Sequence, residues 1–557
     1  MNESSASSPK QKTSRGVARK VLILGLDGAT WDVLDPLMDA GLMPNFQRLL
    51  RGGTRGVLRS TIPPITPAAW TTFMTGRSPG AHGIFDFERY DVRTNKLSFN
   101  TTNVLGHVRT IWQILGSRGY QVGSIAVPMT YPPVPVNGFL ISGFGAVSTK
   151  TDFTYPADLR HELLKRWPDF TFKNTWKSRG WRPDQTVADN IAQVTRSFHQ
   201  GAEVLRYCGD RYGWDVLMIV YKLVDNLQHK AWRYLDPRTR DRWPKRRKLT
   251  EQCFAELDVA IGDILAYAKA HDAHVFVMSD HGHGSLEGKA QPNLMLKDWG
   301  YLKLRSETAQ AGTTFRHKVS RLFRKKGKFA AGNFSLEDDL AVDFAQTRAA
   351  VMHAGMAGFL YLNLRGRQET GIVEPADYER LRDELKARFE AATCSDRDGR
   401  TIKVFEAVYK PEELYRATRE GQPWMPDLLL CPTPRLAVVR KIRGDQHVQW
   451  VPLPRMEGTH RREGIFAVAG PGVRVGARVD TDIINSTPTI LAMLGESIPS
   501  DMEGAVIADA FDPPLTARVE EALDEPVAVG APSGGEVYSA EDVAALTRRL
   551  ADLGYLE

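Results

Sequence analysis

The sequence predicts an α/β protein with a mostly parallel central sheet, and three observations carry that prediction. Apolar runs that read as strands buried on both faces recur at residues 21–26, Val216–Val220 and His274–Met278. Each gives way to a carboxylate, at Asp27, Asp225 and Asp280. After the first, the apolar spacing turns helical through Val33, Leu34, Leu37 and Met38, the order of a βα unit. In open sheets of this kind, ligands bind outside the carboxyl ends of the strands.

The first element, VLILGLDGATWDVLDPLM, places Asp27-Gly28 at a turn between strand and helix. That arrangement suits a ligand-bearing loop and serves equally as an ordinary helix cap. In TIPPITPAAWTTFMTGRSPGAHGIFDF, Thr66 follows a Pro-Pro turn and precedes Pro67, with a helical run over residues 68–74. Proline favours the first helical position, so Thr66 is expected at the N-cap, beside backbone N–H donors that suit an anion. A neutral threonine hydroxyl is a poor nucleophile that coordination to a cation would help ionise. In WDVLMIVYKLVDNLQHKAW, Asp225 and His229 stand four apart, which on a helix puts both on one face. HVFVMSDHGHG ends a strand in Asp280 and His281, followed by glycines that let the chain turn, so that both side chains can converge. A hard oxygen beside an imidazole suits a zinc-like ion. His460 lies before a last strand-like run, in GTHRREGIFAVAGPGV.

These segments stand together in an order that resembles the type I phosphodiesterase/nucleotide pyrophosphatase branch of the alkaline phosphatase superfamily. The resemblance runs from ILGLDGA through MTGRSPGAHGI, VDNLQH, SDHGHG and GTHRREGIFAVAGPGV to STPTILAMLGESIPSDMEGAVI, and the tail RRLADLGYLE is similar to those of bacterial members. It implies an alkaline-phosphatase-like three-layer core with helices on both faces and inserted cap regions. It also implies two divalent ions, zinc by resemblance. Carried over by position, one site would comprise Asp27, Thr66, Asp280 and His281, and the other Asp225, His229 and His460. The interval from Thr66 to Gly76 matches the family's nucleophile-to-glycine spacing and implies Thr66 as nucleophile, with a phosphothreonine intermediate.

Two positions depart from the family. Relatives carry an asparagine shortly after their His-Gly-Ile, where this chain has Phe87, so that phosphoryl donor is missing. His283 stands where relatives usually have an apolar residue; a surface imidazole is expected, with a proton donor behind the ligands as the alternative. Around Thr66, the residues Ala68, Ala69 and Trp70 supply no charge and suggest an apolar wall for the second ester group of a diester. Lys222, three residues before Asp225, is the candidate that could reach a phosphate oxygen and favour monoesters instead. The expected function is a two-metal hydrolase of small phosphate esters, most readily diesters. The alternatives are a phosphomonoesterase or phospho-group transferase on the same site, and a metal-binding scaffold without catalysis.

The chain has 557 residues and a formal charge of +7. Motifs scattered from residue 27 to residue 460 argue for one catalytic core, 20–510, with cap insertions at 150–207 and 305–456, rather than separate modules. Residues 1–19 read as a disordered basic tail and 511–557 as a linker with a C-terminal helix. The N-terminal segment lacks the apolar stretch of a signal peptide, and no apolar run is long enough to span a bilayer. Four cysteines, Cys208, Cys253, Cys394 and Cys431, show no CxxC spacing and fit a reducing, cytoplasmic setting. The basic amphipathic stretch at 315–328 suits a solvated helix better than peripheral membrane contact. No nucleic-acid module is evident.

Overall fold

In a computed structural model, which describes residues 16–93, 96–105, 108–171, 184–305, 340–416, 424–522 and 537–553, the three apolar runs become neighbours. Val21–Gly25 lies between Val216–Val220 and His274–Met278, parallel to both, with Val21 opposite Val216 and His274. All three strands are buried throughout, which is what their lack of alternating polarity requires. They form the centre of a nine-stranded sheet. Its order is Thr481–Asp482, Gly53–Arg59, Glu463–Ala469, His274–Met278, Val21–Gly25, Val216–Val220, Val122–Val127, Gly138–Ser142, Thr154–Tyr155. Glu463–Ala469 and Thr154–Tyr155 run against their neighbours, and the rest of the sheet shares one direction. Because Gly25, Val220 and Met278 share one register level, the residues that follow them leave the sheet at one end. That register brings Asp27, Asp225 and Asp280 together.

Helices complete this α/β core. The long helices Asp184–Tyr212 and Pro244–Ala270 pack along each other and against the sheet. Segment 150–207, expected to lie in a cap, supplies the edge strand Thr154–Tyr155, the helix Leu159–Arg166 and the start of Asp184–Tyr212. The short helix Pro44–Arg51 begins at Met43, which has no side chain able to cap it. Asp258, from Pro244–Ala270 and 1% exposed, does so instead: its carboxylate accepts from Asn45 N at 2.9 Å and Phe46 N at 2.8 Å.

The chain divides into two compact units. One comprises residues 1–82, 101–283 and 460–534, and holds the nine-stranded sheet. The other comprises 83–100, 284–459 and 535–557. In this second unit the antiparallel strands Ala349–His353, Gly358–Leu362, Leu428–Pro432 and Phe405–Tyr409 form a four-stranded sheet, and the helix Tyr378–Glu390 packs on it. The runs GFLYLNL and DLLLCP supply its two inner strands. Phe87 is buried here as well. The expected C-terminal helix is present as Ala540–Leu553. The basic stretch 315–328, the residues Phe172, Trp176 and Trp181 within the segment 150–207, and residues 531–535 of the expected C-terminal linker lie outside the described residues. Among the described residues no helix is long and apolar enough to cross a membrane.

Also in the second unit, His353 Nε2 pairs with Asp86 at 2.7 Å. Burial disfavours the imidazolium, but the Asp86 carboxylate outweighs it and holds the pKa above the ordinary 6.5. A raised histidine pKa stabilises the fold fully below 6.5, and that contribution is lost as pH rises through the folded value. Asp86→Asn should therefore lower the melting temperature at acidic pH and narrow the gap from wild type at alkaline pH, read by thermal unfolding across that range. Asp258→Ala, which leaves two helix-terminal N–H groups without acceptors, should cost about 1–3 kcal/mol in denaturant unfolding.

Candidate active site

Every side chain that the sequence singled out for chemistry lies in the first unit. Asp27 follows the central strand and is fully buried; its Oδ2 accepts from Trp70 Nε1 at 2.8 Å, and its Oδ1 stands 3.1 Å from Lys222 Nζ. Asp280, also fully buried, accepts from Gly28 N at 3.0 Å through Oδ1, while its Oδ2 has no hydrogen-bond partner. Asp225 sits in the first turn of Leu223–Leu235 with His229 one turn on, the spacing expected. Lys222, just before that helix, contacts Asp225 as well as Asp27, and its Nζ lies 3.5 Å from Thr66 Oγ1.

Two expectations change here. Thr66 is the first residue of the helix Thr66–Thr75, not its N-cap; Ile65 holds that place, because its carbonyl already accepts from Ala69 N at 3.0 Å. The Thr66 hydroxyl stands 3.4 Å from His281 Nε2. Trp70, expected to wall a substrate pocket, is wholly buried on a helix whose every residue is buried. Its polar edge donates to Asp27.

Around Asp225 Oδ1 three imidazole Nε2 atoms gather: His229 at 3.2 Å, His460 at 3.3 Å and His283 at 3.4 Å. His283 is 1% exposed, which overturns the surface reading. Nearer Thr66, His281 Nε2 lies 3.3 Å from Asp280 Oδ2 and 4.0 Å from Asp27 Oδ1. The His281 and His460 rings stack at 3.5 Å between centroids. Backbone carbonyls fix the imidazoles: Nδ1 of His281, His283 and His460 contacts Gly282 O, Gly28 O and Pro64 O at 3.0, 2.9 and 2.9 Å. A carbonyl only accepts, so Nδ1 carries the proton and the Nε2 lone pair faces the cluster.

Electrostatics agree with ligand duty. Burial pushes the Asp27 pKa up to about 7 against the pull of Lys222, with Asp225 adding to the rise. Burial and then the Asp27 charge raise Asp280 well above the carboxylate range. Burial also opposes ionisation of Asp225, but Lys222 and His229 outweigh it and hold its pKa well below that range. Burial holds His281, His283 and His460 neutral, the form that binds metal. Two sets of ligand atoms converge closely enough to share an ion, Asp225 with His229, His283 and His460, and Asp27 with Asp225 and His281. Asp225 belongs to both sets, and Asp280 reaches the second through His281. The excess of buried carboxylate over Lys222, the unpartnered Asp280 Oδ2 and the inward imidazole lone pairs fit divalent cations.

A sequence model of the type I phosphodiesterase/nucleotide pyrophosphatase family matches residues 21–462. The chain belongs to that family. Type I phosphodiesterases are metal-dependent phosphoric ester hydrolases, and this protein is one of them. No curated protein matches it by sequence. Several solved structures are similar in fold. The murine ectonucleotide pyrophosphatase/phosphodiesterase 5, inactive and in complex with AMP, is 13% identical with a TM-score of 0.48, over 86% of this chain and 96% of that one. The human protein of the same name is 14% identical with a TM-score of 0.49, over 88% and 100%. Phosphonoacetate hydrolase from Sinorhizobium meliloti 1021, bound to phosphonoformate, is 16% identical with a TM-score of 0.49, over 85% and 94%.

Sequence reasoning missed the place of His283 in this type I phosphodiesterase, although a signal existed. His281 and His283 are two apart where the chain resumes an extended path, Gly282–Leu286, and alternate residues share a face there. Trp70→Phe keeps a large aromatic group but removes the donor to Asp27. It should weaken divalent-metal binding by roughly 10–100-fold, the usual loss for a group that orients a ligand, read by competition with a chromogenic chelator.

Proposed function

We propose that the protein hydrolyses phosphate diesters with Thr66 as nucleophile, supported by two divalent ions, zinc by family resemblance. The observation that carries this reading is the Thr66 hydroxyl. It stands at the start of a buried helix and lies within 3.5 Å of both His281 and Lys222. Asp27, Asp280, His281 and Thr66 would hold one ion, and Asp225, His229 and His460 the other. The ions, when bound, supply Lewis acidity that lowers the pKa of a hydroxyl and offsets charge on phosphoryl oxygens.

The chain's own residues do the rest. The Thr66 hydroxyl gives up its proton to solvent, Oγ attacks phosphorus in line and its bond to phosphorus forms, and the bond to the leaving oxygen breaks with the electron pair departing on the alkoxide, which takes a proton from water to become the alcohol. The ammonium of Lys222 favours the ionised hydroxyl and faces the charge that develops on phosphorus-bound oxygens. Trp70 keeps Asp27 in place through its indole N–H. Water then displaces Thr66 Oγ from phosphorus, so that two inversions give net retention. Phe87 in place of the family's asparagine removes an amide donor, which supports a substrate outside the nucleotides.

Thr66→Ala should abolish turnover while most bound metal remains, Thr66→Ser should keep part of the activity, and acid quenching should trap phosphate on the Thr66 peptide. A fully active Thr66→Ala enzyme would make this residue a structural one.

Lys222 supports the second reading, a monoesterase, because an added cation suits a dianion. Comparing kcat/KM for an aryl phosphate and its methyl ester settles the matter. Diester preference is expected in both the wild type and Lys222→Ala; a large monoester preference that vanishes in Lys222→Ala would establish the monoesterase.

A further inference from the structure

We propose that His283 is a fourth protein ligand, closing the Asp225, His229 and His460 site around a tightly retained ion. The inference rests on the two-ion reading of the same centre and divides the labour within it. Four ligands about 2.0–2.1 Å from zinc lie about 3.3 Å apart along the edges of a tetrahedron. Asp225 Oδ1 is 3.2, 3.3 and 3.4 Å from Nε2 of His229, His460 and His283, and the His229 and His460 nitrogens are 3.0 Å apart. Four of the six edges thus already have the size that such an ion imposes.

His283 is built for this position. Its Nδ1 donates to Gly28 O at 2.9 Å, leaving the Nε2 lone pair for the cluster, where that atom has no hydrogen-bond partner. The ring stands edge-on to His229 at 4.6 Å between centroids. Gly28 makes room for it: at φ +68° a Cβ would lie 2.7 Å from His283 Nδ1 and Cε1. Glycine is therefore required twice, for its backbone angle and for the space. A proton donor behind the ligands would instead aim an N–H at one of them, and His283 presents its lone-pair nitrogen.

A zinc site filled by four protein ligands is of the structural kind, whereas catalytic sites keep a position open. The closed site would hold its ion through turnover. It would offset phosphoryl charge through its field alone, while exchange and direct coordination of substrate would fall to the site of Asp27, Thr66, Asp280 and His281.

The test begins with the wild-type protein, stripped and reloaded with one equivalent of zinc. X-ray absorption should fit three imidazole nitrogens and one oxygen, and chelator competition on fully loaded protein should resolve one tight and one weaker ion. In His283→Phe and His283→Gln, the tight ion should lose at least tenfold in affinity. The intense visible band of four-coordinate cobalt in that site should weaken as well. Two imidazoles in the wild type, or variants with unchanged affinity and cobalt spectrum, would overturn the inference and leave the two-ion reading standing. Failure of the wild type to bind two ions would remove that reading itself, and the inference with it. The wild-type absorption measurement decides the question even if neither variant folds.

Discussion

Burying an ionised carboxylate costs several kcal/mol after relaxation, and Asp27, Asp225 and Asp280 are each completely buried at one end of one sheet. Like charges at such distances raise one another's pKa, and the Asp27 and Asp280 shifts record that repulsion together with burial. The Lys222 ammonium bridges Asp27 and Asp225, and one positive charge cannot neutralise three carboxylates. The centre is therefore a demand for positive charge built into the sheet's register. Its surroundings answer that demand: carbonyls turn the imidazoles inward, Trp70 pins Asp27, and Gly28 N holds Asp280. Remove the register and none of these contacts has a purpose.

How much of this was legible in the sequence follows the range of each interaction. Asp27 and Asp280 were visible because an apolar run ending in a carboxylate marks a strand end. Asp225 and His229 were visible because helical spacing is local. His460 was placed with them by the order of family motifs, since residues 229 and 460 meet only through tertiary structure. The direction of the Trp70 indole was not legible, for a physical reason. The helix Thr66–Thr75 is buried on every side, so it has no polar face to reveal which way the indole turns. His283 was read one residue at a time, although its alternation with His281 already placed the two on one face. The remote cap from Asp258 to the helix Pro44–Arg51 lay beyond any local pattern.

The two compact units also explain why composition said so little about substrate. The candidate metal ligands all lie in the first unit, whereas the second unit is built mostly from 284–459. Its core is a sheet and helix of its own, with the buried Asp86 and His353 pair inside it. Phe87 belongs to this unit.

The position of Glu463–Ala469 has a consequence for biosynthesis. This strand lies between Gly53–Arg59 and His274–Met278, bonded to both, yet it leaves the ribosome about 400 residues after the first of them. At about 5–20 residues per second that interval is roughly 20–80 s. For its last stretch of about 185 residues, from Met278 to Glu463, or about 9–37 s at the same rate, both neighbours present unpaired strand edges, one at the margin of the half-built sheet and the other cut off from it. The parallel strands around Val21–Gly25 can assemble early, but the sheet closes only when a segment near the C-terminus arrives. A nascent chain halted before residue 463 is thus a sticky, edge-exposed species, and chaperone capture should concentrate in that window.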